Sequence, residues 1–320
     1  MMKARISSGI ICACFLVGSL TSLGATYYIN DDYVPVSDVY TTATGHDSNN
    51  GTTPSTPKRT LAGLFADVSL SPGDTVYIDT GTYGVSTIPA TVLGTAEAPI
   101  IFQGSTNLAA GGTVFNGTGS VLDIRGSRLI VRDMTAQGGN TALFISGSMN
   151  CRFERVKALG SRVNSAGVYG ANSNVFSHCM VHKTGSGTAF GFNTSCRSNF
   201  IENSVMYSQG GYALGGASNT ISDVSANIIV GVYGLNAIPY GGSRNIFSYT
   251  AALSNEHETL SDLQRENTNW FGNVVADPLF VNADALDFHV MSPAGFVSNG
   301  VWVTNALVGY SPAIDFGKKE

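Results

Sequence analysis

The sequence predicts an all-β solenoid, a parallel β-helix in which each repeat is one coil. The first observation is a period. Inward-type apolar residues recur at Val131, Phe153, Phe176, Ile201, Val224 and Phe247, in steps of 22, 23, 25, 23 and 23 residues. A period of this size points to a repeat architecture before any other. The second is the content of each unit. Short alternating stretches such as RFER at 152–155 and VLDI at 121–124 are joined by small polar residues such as GSR, GSMN and ANSN. Units rich in Gly, Ser, Asn and β-branched residues form strands and turns, not helices. The third is the scarcity of charge: only 12% of residues are Asp, Glu, Lys or Arg. In a solenoid each residue stacks on its equivalent in the next coil, and a column of like charges would repel.

Each segment follows in order. Residues 1–25 read as a signal peptide, with Lys3 and Arg5 before the apolar run Ile10 to Leu20 and small residues at Ser22, Gly24 and Ala25. That run is short for a membrane span, and no later stretch is long enough, so no span is expected after cleavage. The chain is expected to be secreted, periplasmic or held at the cell surface. Residues 26–74 form a lead-in and cap. Leu61, Leu64, Phe65 and Val68 have helical spacing, as expected of a short amphipathic helix covering one open end of the core. Coils are expected over 75–254, starting from TVYI at 75–78. Two strands per coil are legible: the Phe153-type strand and a second set, VLDI, ALFI, AGVY, TAFGF and YAL. Residues 255–320 break the pattern and are expected to form an excursion or a helical turn, followed by an irregular cap.

Of five cysteines, Cys12 and Cys14 fall in the signal segment. Cys151, Cys179 and Cys196 remain, an odd number with no metal-ligand spacing. Cys151 and Cys179 read as core residues first and as a disulfide pair second. A net charge of −5 gives no basic footprint, so nucleic acid is not an expected partner.

Three phrases carry a resemblance: GHDSNNGTTPSTPKRTL at 45–61, SPGDTVYIDTGTYG at 71–84, and DPLFVNADALDFHVMSPAG at 277–295 with SPAIDFG at 311–317. With them the chain resembles the right-handed parallel β-helix proteins of the pectate-lyase-like superfamily over nearly all of its mature length. The resemblance implies the fold and export. It also implies an acidic polysaccharide as partner, since many members are lyases, hydrolases or epimerases of such chains. Fold is not function, however, and these phrases are architectural.

The chemistry therefore rests on the residues themselves. Galacturonan hydrolases of the superfamily carry Asn-Thr-Asp and Asp-Asp pairs, one carboxyl as acid and one as base. The coils here have no such pair. A lyase needs a cation for the uronate carboxylate and a base for the neighbouring proton. Reading outward positions on either side of the core column gives Arg132, Glu154, Ser177, Glu202, Ser225 and Ser248, and Ile130, Arg152, Val175, Phe200, Asp223 and Ile246. Arg152, Arg132 and His178 are the catalytic candidates. Glu154, Glu202, Asp223, Lys157 and Tyr207 are the substrate-binding candidates, and His182 and Lys183 further bases. Ca²⁺ is a candidate cofactor. Glu154 and Glu202 lie two coils apart, roughly 9–10 Å, too far to share one ion. No metal ligands are assigned, and Asn203 and Asn227 are assigned to turns. The expected function is binding or cleavage of an acidic polysaccharide, by β-elimination if catalytic. The alternative is a non-catalytic surface or matrix solenoid for adhesion or carbohydrate binding.

Overall fold

In a computed structural model of the chain, the described residues are 24–33, 37–193, 195–216, 221–236, 239–254, 257–283, 287–291, 296–298, 301–303 and 311. Apart from Gly24 and Ala25, the signal segment with Cys12 and Cys14 lies outside them, as do residues 312–317 of the last quoted phrase.

Backbone pairing runs coil to coil. Twenty-three strands join through parallel ladders, which is the expected parallel β-helix. The register follows the repeat: Val131 pairs with Phe153, Phe153 with Phe176, Phe176 with Ile201 and Ile201 with Val224. These five side chains are fully buried or nearly so. The Phe153 and Phe176 rings stack at 4.8 Å with 8° between planes.

The column then departs from the sequence reading. Val224 pairs with Gly242, not with Phe247, and Gly242 pairs with Trp270. Phe247 pairs with Ile229 in the neighbouring sheet, so Ser248 and Ile246 leave the first face with it. The coil after Val224 is short, and the next apolar residue at the usual spacing belongs to another sheet. Gly242 has no side chain to contribute. Trp270, 2% exposed, fills its place, since a Cβ on Gly242 would meet the indole ring at 2.5 Å.

There are also three sheets rather than two strands per coil. Arg152–Leu159 bends at Arg155, whose φ is 52°. Equivalent left-handed residues recur at Asp133, His178, Asn203, Ala226, Arg244 and Gly272. Left-handed φ is uncommon for residues other than Gly and turns the chain sharply within one residue. Each bend separates a first sheet from a second sheet with no loop between them. A third sheet, including Ser120–Ile124, Thr141–Ser146 and Asn164–Tyr169, is the set of second stretches expected from the sequence.

The residue after each bend points inward and is tied to the next coil. Cys179 N donates to Ser204 Oγ at 3.0 Å, Ser204 N to Asn227 Oδ1 at 2.9 Å, Asn227 N to Asn245 Oδ1 at 3.0 Å, and Asn245 N to Asn273 Oδ1 at 2.9 Å. Asn227 is thus a turn residue bonding backbone, as expected, within a buried asparagine ladder. Asn203 is the bend residue itself. Cys151, Cys179 and Cys196 are all buried and free.

The stack begins before residue 75, since Thr26–Ile29 pairs with Thr75–Ile78. Helix Leu61–Asp67 buries Leu61 and Leu64 against this end of the core. Thr60 caps it by accepting from Gly63 N at 2.9 Å. Asp47 of the GHDSNNGT phrase in turn accepts from Arg59 N and Thr60 N at 3.0 and 2.9 Å. Lys58, fully buried, is ion-paired with Asp67 of the same helix. Asp74 of SPGDTVYI accepts from Ala25 N at 2.7 Å. The quoted phrases are architectural for these reasons. Near the other end, Leu260–Glu266 forms a one-turn-plus helix capped by Thr259.

Buried Asp79 accepts from the backbone N–H groups of Val39, Tyr40 and Thr41 at 2.7 to 2.8 Å and so pins the 37–43 segment to the first coils. Asp38 lies beside it. Burial pushes the Asp38 carboxyl up to about 6, Asn30 opposes this through a hydrogen bond, and Asp79 and Asp31 add to it. A carboxyl with a raised folded pKa contributes stability that is full below about pH 4 and lost as pH rises through about 6. Asp38→Asn, which keeps an acceptor for Asn30, should therefore melt above the wild type at pH 8. The gap should close on acidification to pH 4. Thermal melts of both proteins across that range check it, and parallel curves would rule it out.

Candidate functional site

The first sheet presents the expected charged face. Arg132, Glu154, Ser177, Glu202 and Ser225 lie in one register column, and Arg152, Val175, Phe200 and Asp223 in the next outward one. Its charges are spent on each other. Arg152 Nε meets Glu154 Oε1 at 2.5 Å, and Arg152 Nη2 meets Glu202 Oε1 at 3.6 Å. Arg132 Nε donates to Gln103 Oε1 at 2.5 Å, and its Nη1 lies 3.9 Å from Glu154 Oε2. Exposed pairs of this kind contribute about 0–1 kcal/mol each. Glu154 and Glu202 converge on one guanidinium. Among the described residues no three His, Cys, Asp or Glu side chains come together to hold a metal ion.

The bend adds two residues that the sequence reading missed. Arg155 binds Asp133 through two bonds, Nε to Oδ1 at 2.6 Å and Nη2 to Oδ2 at 2.8 Å. Burial pushes the Asp133 carboxyl up. The bonds from Arg155 and Gln103, with the charges of Arg155 and Arg132, outweigh it and hold the group below the ordinary carboxylate range. The signal for these residues was a broken alternation. Inward residues fall at Phe153 and Val156, three apart, where a straight strand would have them two apart.

Past the bend, a cleft of about 610 Å³ runs over the outer face of the second sheet. Lys157, the bend residues Asp133, Arg155, His178 and Asn203, and Thr113 and Thr135 supply its polar groups. Met180 and Val205 line it, with Leu108 at one side and Phe288 at the other. Leu108 belongs to the short 3₁₀ turn Leu108–Ala110, and Phe288 to a C-terminal hairpin of Phe280–Asn282 with Asp287–Val290. Lys157 is outward on its strand, in register with Thr135 and Met180. Among the described residues no carboxylate pairs with it. His178 is exposed, and its Nδ1 lies 2.9 Å from Ser177 Oγ.

The remaining candidates lie elsewhere. Tyr207 stacks on His182 at 5.3 Å, and Phe288 packs on both rings, so this pair supports the hairpin. His182 is 4% exposed. Lys183 is buried and donates to the carbonyls of Ser161 and Thr184, both at 2.8 Å, and burial lowers its pKa. Asp223 stays on the first face, where burial raises its pKa against the Ser225 bond and the Arg244 charge.

No protein-family model matches the sequence, and no curated protein does. Solved structures are similar in shape. Pectate lyase Pel9A aligns with a TM-score of 0.49 at 13% identity, covering 90% of this chain and 95% of that one. A mannuronic acid specific polysaccharide family 6 lyase from human gut microbiota gives 0.42 at 16%, covering 56% and 49%. A rhamnogalacturonan lyase gives 0.41 at 15%, covering 72% and 75%. The fold, from its own parallel ladders, is a parallel β-helix. At such identities the likeness concerns fold alone, and the chemistry of this β-helix rests on its own residues.

Proposed function

We propose that this chain is an exported β-helix protein that binds an acidic polysaccharide in the cleft over its second sheet and cleaves it by β-elimination. One observation carries the reading. Lys157 stands in the cleft without a carboxylate partner among the described residues, next to exposed His178, while the arginines Arg132 and Arg152 on the neighbouring face are engaged.

Elimination from a uronate needs a cation on the carboxylate, so that negative charge building there is stabilised, and a base for the adjacent proton. Lys157 is suited to the first task. His178 is suited to the second: in the tautomer whose Nδ1–H donates to Ser177 Oγ, its Nε2 is free to take the proton. The proton passes to the base, a double bond forms beside the carboxylate, and the bond to the glycosidic oxygen breaks with its electron pair on the oxygen. Arg132 and Arg152 can reach a sugar carboxylate only by exchanging Glu154 for it, which suits them to holding neighbouring units. Glu154, Glu202 and Asp223 are placed to accept sugar hydroxyls. The second reading, a non-catalytic carbohydrate-binding solenoid, draws support from those same paired charges.

The test uses the mature chain with pectate, alginate, chondroitin sulfate and heparin, each with and without Ca²⁺. Ultraviolet absorbance follows the unsaturated product, and calorimetry follows binding. We expect product from one polymer. Lys157→Ala should weaken binding about 10- to 100-fold, the range for one charged hydrogen bond. Binding without product moves the reading to the non-catalytic solenoid. Neither binding nor product with any polymer rejects it.

A further inference from the structure

Resting on the reading above, we infer that the cleft over the second sheet is built for an O-acetylated uronan rather than for the bare polymer. The cleft divides by chemistry. At the bend lie its cationic and polar groups. Beyond them the outward column of the second sheet runs from Lys157 through Met180 to Val205, in register on successive coils about 4.8 Å apart. Leu108 and Phe288 stand at its sides.

That composition does not suit an unsubstituted uronan. Every unit of such a chain carries a carboxylate and hydroxyls, which need partners when they leave water. Lys157 can serve one carboxylate, and beyond the bend the outward column of the next two coils offers a thioether and an isopropyl group. Nor is the surface a platform for the ring of a sugar, because methionine, valine and leucine present no flat face. Flexible thioethers and branched methyls instead fit small irregular apolar groups. Leu108 is 63% exposed on its turn, an unusual exposure for a leucine that borders a cleft. A small acyl group docked between it and Met180 would cover it.

An acetyl ester on a hydroxyl meets these conditions. It adds one methyl group, removes one hydroxyl donor that Met180 and Val205 cannot satisfy, and leaves the carboxylate charged for Lys157. A methyl ester of the carboxyl would discard that charge. Burying one methyl group is worth about 0.8 kcal/mol, so each docked acetyl should tighten binding about four-fold.

The experiment uses the mature chain with O-acetylated pectate and O-acetylated alginate, each before and after mild saponification, which removes acetyl groups and keeps chain charge. Calorimetry compares the four polymers. We expect one acetylated polymer to bind at least about four-fold tighter than its saponified form. The variant Met180→Gln/Val205→Thr, close to isosteric, should lose that preference and bind the acetylated and saponified forms equally. Equal or weaker binding of the acetylated form overturns the inference and leaves the acidic-polysaccharide reading standing. A preference that survives in the variant overturns the assignment of the acyl site to this column. Failure of all four polymers to bind rejects both readings together.

Discussion

Phe176→Ala is expected to cost about 3–5 kcal/mol, the range for removing a buried aromatic ring. Phe176 is 1% exposed. It stacks on Phe153 from the coil before at 4.8 Å and meets the Phe190 ring edge-on at 4.9 Å from across the core. Parallel ladders hold the coils at a set spacing, so the surrounding strands cannot close over the hole. Solenoids are stabilised chiefly by contacts between adjacent repeats, so the damage should begin locally. Denaturant unfolding should show the loss, and amide exchange should rise first in the coils around 153–201. Phe176→Leu should recover most of it. A cost under about 1 kcal/mol for the alanine variant would place Phe176 outside the core and break the register on which the repeat rests.

Asn245→Ala is expected to cost about 2–4 kcal/mol, since it strands several buried polar groups at once. Asn245 Oδ1 accepts from Asn227 N and Nδ2 at 3.0 and 3.1 Å, while Nδ2 donates to Val224 O and Asn273 Oδ1, both at 2.8 Å. Asn245 is fully buried, and no water reaches these groups to replace the amide. A natural control stands two rungs away, where Ser204 holds the equivalent place and accepts from Cys179 N. Asn245→Ser should therefore cost clearly less than Asn245→Ala. Equal costs would mean that side-chain volume, not hydrogen bonding, sets the stability of the ladder.

Several features of the site were legible in the residues. The register of Arg132, Glu154, Ser177 and Glu202 followed from a period of 22 to 25 residues, because one coil is one repeat and stacking is enforced by backbone pairing. The mutual pairing of Arg132, Arg152, Glu154 and Glu202 was open, because whether two outward charges meet depends on rotamers that neighbouring coils set. Asp133 and Arg155 were not found, because a one-residue left-handed bend leaves no Gly or Pro to mark it. Tyr207 and His182 read as available groups. Their cover, Phe288, lies about 80 residues beyond Tyr207 and more than 100 beyond His182, and no local pattern joins them.

By itself, the sequence determined that the chain is a parallel β-helix with a capping helix near residue 61, poor in charge along its length. Those properties are local or periodic: strand alternation, small-residue turns and the intolerance of stacked columns for like charge repeat every coil. Tertiary structure alone decided that each coil has three strands, that Trp270 rather than Phe247 continues the Phe153 column, and that Lys157 faces a cleft on the second sheet. The bend angle, the space left by Gly242 and the return of the hairpin bearing Phe288 arise from contacts between residues far apart in the chain. Their free energies are set by how the coils pack, which no single stretch of residues encodes.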